Sequence, residues 1–255
     1  MNKKYLSKLA IISLFIFPFG LNSVLSETNI IKKTDQNLQK KDDINNWLEL
    51  LKKADDLKEK GLINEAEENY NIACNMLHQK KYVTFIVKDI GNHYSNLINN
   101  KNYKELNAEL ISEFESICGK NNLNTIFSLN RIADIYSAKS LNEAASELFL
   151  YVIDFKEKNP KNYIEIERSI AKDYMGLGIA YVGMAKYQKA SEQFLKATQI
   201  NEKDYGKKHS IYAYSYSLLG WSYTLSGEYE KAQNILEEAL EIKEKEIGKD
   251  HPDLM

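Results

Sequence analysis

The chain has 255 residues, 44% of them hydrophobic and 27% charged, with 34 Lys and Arg against 36 Asp and Glu. This is the composition of a folded soluble protein, and a formal charge of −2 leaves no electrostatic case for binding nucleic acid. Three Pro and 11 Gly, with no sustained alternation of Val, Ile and Thr, disfavour sheet and point to an all-helical chain.

Met1 to Ser26 reads as a secretory signal peptide: Lys3, Lys4 and Lys8 make a basic start, Leu9 to Leu21 an apolar core, and Val24 and Ser26 the small residues before a cleavage site expected after Ser26. The apolar core is shorter than the about 20 residues a spanning helix needs and contains Pro18 and Gly20. Export to a periplasm, a comparable lumen or the medium is therefore the expected destination, with no membrane insertion after cleavage. Removing Lys3, Lys4 and Lys8 leaves 31 basic against 36 acidic residues. Residues 27–43, rich in Lys, Asp, Asn and Gln and without an apolar stripe, are expected to form a flexible polar leader.

From Ile44 to the end, residues 44–255, the pattern is helical and repeats. Ala54, Leu57, Gly61, Ala66, Tyr70 and Ala73 set out a first copy. Tyr94, Leu97, Tyr103, Leu106 and Leu110 have suitable spacing for a second but none of the small residues. Ala133, Tyr136, Ala145, Phe149 and Val152 give a third. The last two copies, 171–212 and 213–254, are the strongest. Gly178 aligns with Gly220, Tyr181 with Tyr223, Tyr187 with Tyr229, Ala190 with Ala232, Ala197 with Ala239 and His209 with His251, each 42 residues apart. A fixed period of this size means stacked supersecondary units. Within each copy, apolar residues three and four apart mark two helices joined by a short turn. A glycine inside a helix costs about 1 kcal/mol relative to alanine, so Gly178 and Gly220 are expected at close helix crossings, Gly178 facing Ala190.

These residues resemble the tetratricopeptide repeat, in its 42-residue variant found in kinesin light chain and many bacterial proteins. The resemblance implies an all-α, right-handed αα superhelix of about five helix hairpins, acting as a scaffold or adaptor that binds a protein or peptide rather than as an enzyme. It also implies a concave groove lined by the first helix of each repeat. The groove positions are Phe127, Asn130, Asp134 and Ser137 in the third repeat, Lys172, Met175, Ile179 and Val182 in the fourth, and Tyr214, Ser217, Trp221 and Thr224 in the fifth. Trp221 is the expected centre of binding. This set lacks the Lys and Asn clamp of chaperone adaptors and the paired asparagines of kinesin light chain, so neither partner class carries over.

No Gly-rich phosphate loop, HExxH or GxSxG occurs, and no cofactor, metal or catalytic residue is expected. His209 and His251 occupy one repeat position and read as structural turn residues; His78 and His93 lack the paired spacing of a zinc site. Cys74 and Cys118 fall on second helices of neighbouring repeats about one turn out of register, which leaves a bridge and two buried thiols both open. Two functional classes follow: an exported adaptor, or the recognition module of a longer effector or enzyme continuing past Met255, which the reading frame beyond that residue distinguishes. The last helix, Glu228 to Glu246, carries Ala232, Ile235, Leu236, Ala239 and Leu240, more apolar surface than its partner helix is expected to cover. Self-association through the last repeat is the corresponding expectation.

Overall fold

A computed structural model describes residues 30–78, 86–98, 102–120, 122–159 and 170–247. Residues 1–26, expected as a signal peptide, and His251 lie outside these residues. The described residues form ten α-helices and no strand, paired as the five expected hairpins. Residues 27–158 make one compact unit, and residues from 159 onward belong to a second.

The first unit holds α1 (Ile30–Glu59), α2 (Ile63–His78), α3 (Ile86–Ile98), α4 (Tyr103–Cys118), α5 (Leu123–Ala138) and α6 (Asn142–Lys158). Residues 30–43, expected as an irregular leader, are helical instead. The stretch is rich in Lys, Gln and Asp and has no Gly or Pro between Ile30 and Asp43, so nothing in it breaks the helix that continues to Glu59. Small residues sit where helices cross closely: Ala54, Ala66 and Ala73 in the first hairpin, Ala133 and Ala145 in the third, all buried. The second hairpin departs from this. Counting from the small residue of each first helix, Tyr94 stands in the place of Ala54 and Ala133, Leu106 in that of Ala66 and Ala145, and Glu113 in that of Ala73 and Val152. Large groups at the crossing hold α3 and α4 apart, and the two touch only sparsely. The close approach moves to Gly91, where a Cβ would come within 2.8 Å of Ile135 Cδ1 on α5. α3 therefore packs chiefly on α5.

Cys74 on α2 and Cys118 on α4 form a disulfide with Cα atoms 5.1 Å apart. The open choice between bridge and free thiols is resolved as a bridge. One turn of helix is within the adjustment that two neighbouring second helices make when α4 is freed from tight packing on α3.

The second unit holds α7 (Ile170–Gly183), α8 (Tyr187–Tyr205), α9 (Ser210–Ser226) and α10 (Tyr229–Ile247). Gly178 does approach a second helix closely, but its neighbour is Phe194 rather than Ala190. A Cβ on Gly178 would lie 2.5, 2.7 and 2.8 Å from three atoms of the Phe194 ring. Gly220 meets Leu236, the residue 42 positions after Phe194, at 2.8 Å. Glycine thus makes room for the large residue one turn beyond each alanine. Phe194 anchors a cluster with Ala190, Leu218 and Leu219, and Ala232, Leu236 and Ala239 form another. The tyrosines around Tyr214 divide their work: Tyr212 is buried and stacks on Tyr216 with ring centroids 5.3 Å apart, and Tyr216 packs on both clusters.

The apolar stripe of α10 is better covered than its sequence implies. Ala232, Leu236 and Ala239 are fully buried, with Tyr216 and Tyr223 of α9 laid over them together with Tyr229 and Leu240. Hairpin turns reuse one backbone solution: Gly61, Ser140, Ala185 and Gly227 all take positive φ, at 76°, 60°, 55° and 85°. His209 caps α9, its Nδ1 accepting from the Ile211 amide at 3.1 Å, which gives the recurring exit histidine a structural role.

Candidate functional site

Positions 172, 175, 179 and 182 share one face of α7 through their 3–4–3 spacing, and positions 214, 217, 221 and 224 share one face of α9. The two helices touch. On α7, Lys172 is exposed, Met175 and Val182 are half-buried, and Ile179 is 36% exposed. On α9, Tyr214 is likewise 36% exposed, and Trp221 and Thr224 are half-buried. Met175, Val182 and Trp221 all rest on the cluster built around Phe194. The result is a strip whose inner edge is core and whose outer edge meets solvent. Trp221 is neither covered nor free: one side is packed and part of the indole stays accessible.

Tyr214 is held in a mixed environment. Its ring is partly exposed, yet desolvation by the surrounding protein raises its hydroxyl above the ordinary tyrosine value. That pairing of an apolar body and a polar tip is typical of residues that serve at interfaces.

Two expected contact residues are withdrawn from the surface. Ser217 is 0% exposed, and its hydroxyl donates to the Tyr214 carbonyl at 2.7 Å, one turn back on the same helix. Its short side chain sits at the base between Tyr214 and Trp221 and stays below them. Asn130, on α5 in the first unit, is 3% exposed, so it supports structure rather than contact. Asp134 on the same helix is half-buried. The strip that remains is Lys172, Met175, Ile179, Val182, Tyr214 and Trp221.

Repeat positions do not point to a second concavity, in the first unit. A cavity of about 590 Å³ opens there, with Trp47, Tyr70, Tyr94, Asp55 and Glu113 among its walls. The signal that could have found it is the replacement of three small-residue positions in the second repeat by Tyr94, Leu106 and Glu113. Among the described residues, no group of three or more His, Cys, Asp or Glu is placed to hold a metal ion. No described helix is long and apolar enough to cross a membrane.

Residues 170–245 match the family model of the tetratricopeptide repeat. No curated protein matches the chain significantly in sequence. Among solved structures, it is similar to a Podosopora anserina protein assigned as a kinesin light chain with nearly identical TPR-like repeats, at 19% identity over 77% of this chain and 94% of that one, TM-score 0.46. It is also similar to BtubC (BKLC) from P. vanneervenii, at 15% identity over 98% of this chain and 95% of that one, TM-score 0.49. At these identities and scores the likeness says nothing of what this chain binds. Residues 170–245 thus carry two tetratricopeptide repeats, which stand as the hairpins α7–α8 and α9–α10.

Proposed function

We infer that the chain is an exported scaffold whose last two repeats hold a peptide or helix of a partner protein against the strip on α7 and α9. The observation that carries this reading is the strip itself: Met175, Ile179, Tyr214 and Trp221 keep apolar and aromatic surface accessible on first helices, where repeats of this family present their binding positions. Aromatic anchors in partly desolvated settings dominate the energetics of such interfaces. The role is binding rather than catalysis.

Export is supported by two independent features. The basic start and apolar core of residues 1–26 have the form of a signal peptide, and the Cys74–Cys118 bridge belongs to an oxidising compartment. N-terminal sequencing of the protein recovered from cells expects Glu27 as the first residue. Self-association through α10 gains no support, because α9 already covers most of the α10 stripe.

The test is capture of partners from an envelope extract by the mature chain and by its Trp221→Ala variant, followed by affinity measurement on the captured segment. Loss of a hot-spot aromatic, at 2 kcal/mol or more, weakens binding by about 30-fold. If Trp221→Ala binds as well as the parent while its circular dichroism is unchanged, the strip is not the binding surface.

A further inference from the structure

The second repeat breaks the pattern at its three small positions, and the departures converge. Tyr94 and Glu113, which stand where the other repeats bury small or aliphatic residues, both line one cavity, where burial, with the Glu113 carboxylate nearby, raises the Tyr94 phenol above its ordinary value. The first hairpin supplies a matching pair: the Tyr70 hydroxyl on α2 donates to Asp55 on α1. Each pair lines the cavity between the first two hairpins. Trp47 completes the aromatic wall, its indole fixed by a 3.1 Å hydrogen bond from Nε1 to the Ala73 carbonyl. The Cys74–Cys118 bridge joins the two hairpins one residue beyond Ile117 of the lining and one beyond Ala73, which holds the indole, so the walls are held in register.

We propose that this cavity binds an organic ammonium ion, between the aromatic faces of Trp47, Tyr70 and Tyr94 and the carboxylates of Asp55 and Glu113. Aromatic faces attract cations through their quadrupole. A carboxylate that accepts one phenol retains acceptor capacity for a charged donor. The other charged or titratable groups nearby are His93, whose ring meets Tyr94 edge-on at 5.7 Å, Glu109 and Tyr136, which act on the Tyr94 phenol, and Lys58, whose nitrogen lies 5.9 Å from the Tyr70 ring centroid. Lys58 is outside the cavity lining, and its contact shows that the Tyr70 ring already accepts a cation. The volume suits a small ligand or one long side chain. The positively charged head can come from a free quaternary amine or from a lysine of a bound protein, and one experiment separates the two.

Isothermal titration of the full oxidised chain uses choline, its neutral isostere 3,3-dimethylbutanol, N-acetyl-lysine methylamide, and the neutral norleucine counterpart. At least one charged probe is expected to bind about tenfold or more tighter than its neutral isostere, as the loss of one charge-assisted contact implies. Tighter binding of choline identifies a free quaternary amine, and tighter binding of the lysine amide a basic side chain. Glu113→Gln, isosteric and exposed, is expected to weaken the charged probe about tenfold with an unchanged melting curve. Asp55→Asn is the second variant, for use if Glu113→Gln perturbs the fold. Equal affinity for charged and neutral probes would overturn the proposal, as would the absence of heat for both charged probes at about ten times a millimolar dissociation constant.

Discussion

Replacing Gly178 by alanine isolates the packing logic of the strongest repeats. The new methyl carbon would lie 2.5 to 2.8 Å from three atoms of the Phe194 ring, against about 3.5–4.0 Å for relaxed carbon contacts. The ring must retreat by about 1 Å. Phe194 is fully buried, with Ala190, Leu218 and Leu219 around it, so the displacement passes into the contact between α8 and α9. Overpacking of this kind costs about 1–3 kcal/mol, and alanine returns about 1 kcal/mol of helix propensity. With three ring atoms contacted in a fully buried site the upper end of that range applies, and the net expectation is a loss of about 2 kcal/mol. Gly220→Ala meets Leu236 and Ile235 at 2.8 to 3.0 Å, and Ile235 is only half-buried, so its loss should be smaller. Gly91→Ala meets chiefly one terminal methyl, Ile135 Cδ1, on a half-buried side chain that can rotate, and should be neutral or slightly stabilising. Urea unfolding followed by circular dichroism ranks the three, and Phe194→Leu should recover part of the Gly178→Ala loss. A Gly178→Ala chain as stable as the parent would refute the close crossing.

Reduction of the Cys74–Cys118 bridge, which closes a separation of 44 residues, should lower stability by up to about 4 kcal/mol by loop-closure entropy; urea midpoints with and without reductant measure it. Ala185 occupies a left-handed turn position at φ 55° where Gly227 stands in the next repeat, so Ala185→Gly should stabilise by about 1 kcal/mol, whereas Gly227→Ala should destabilise by a similar amount. Burial first, and in each case a neighbouring carboxylate as well, pushes Tyr70, Tyr151, Tyr212 and Tyr216 up to about 12. Their protonated forms are favoured in the fold, so this contribution is complete below the unfolded tyrosine value near 10 and is lost as pH rises from there toward 12. Phenolate absorbance should show a late-titrating group of tyrosines, with urea midpoints flat up to about pH 9 and falling above it.

The repeat was legible because close packing of hairpins imposes a strict chemical period. Gly178, Ala190 and Ala197 recur at Gly220, Ala232 and Ala239, and every pair is buried. Sequence spacing could not say which residue faces the glycine, since Ala190 and Phe194 lie on the same helical stripe and only the helix crossing selects Phe194. Repeat spacing anticipated the solvent-reaching positions of Met175, Ile179, Tyr214 and Trp221 but not the burial of Asn130 and Ser217. Those two hold the same repeat position as Met175, yet a short polar side chain there lies under its neighbours while the longer methionine reaches outward. The cavity of the first unit was hidden in plain view. Tyr94, Leu106 and Glu113 read as a decayed repeat when judged by absent small residues, yet with α3 and α4 held apart Tyr94 and Glu113 line a cavity.

The bridge also decides how the chain bears tension. A pull applied at the two ends passes through the sulfur–sulfur bond from residue 74 to residue 118, and the 44-residue span between them drops out of the loaded path. At about 3.5 Å per extended residue, some ~150 Å of chain is withheld from stretching. α3 and nearly all of α4 lie inside that slack loop, while α1 and most of α2 lie in the loaded path. Stretching would therefore strip one wall of the aromatic cavity and leave the other unloaded, so that force on an oxidised chain would open the cavity from the side of Trp47 and Tyr70 first.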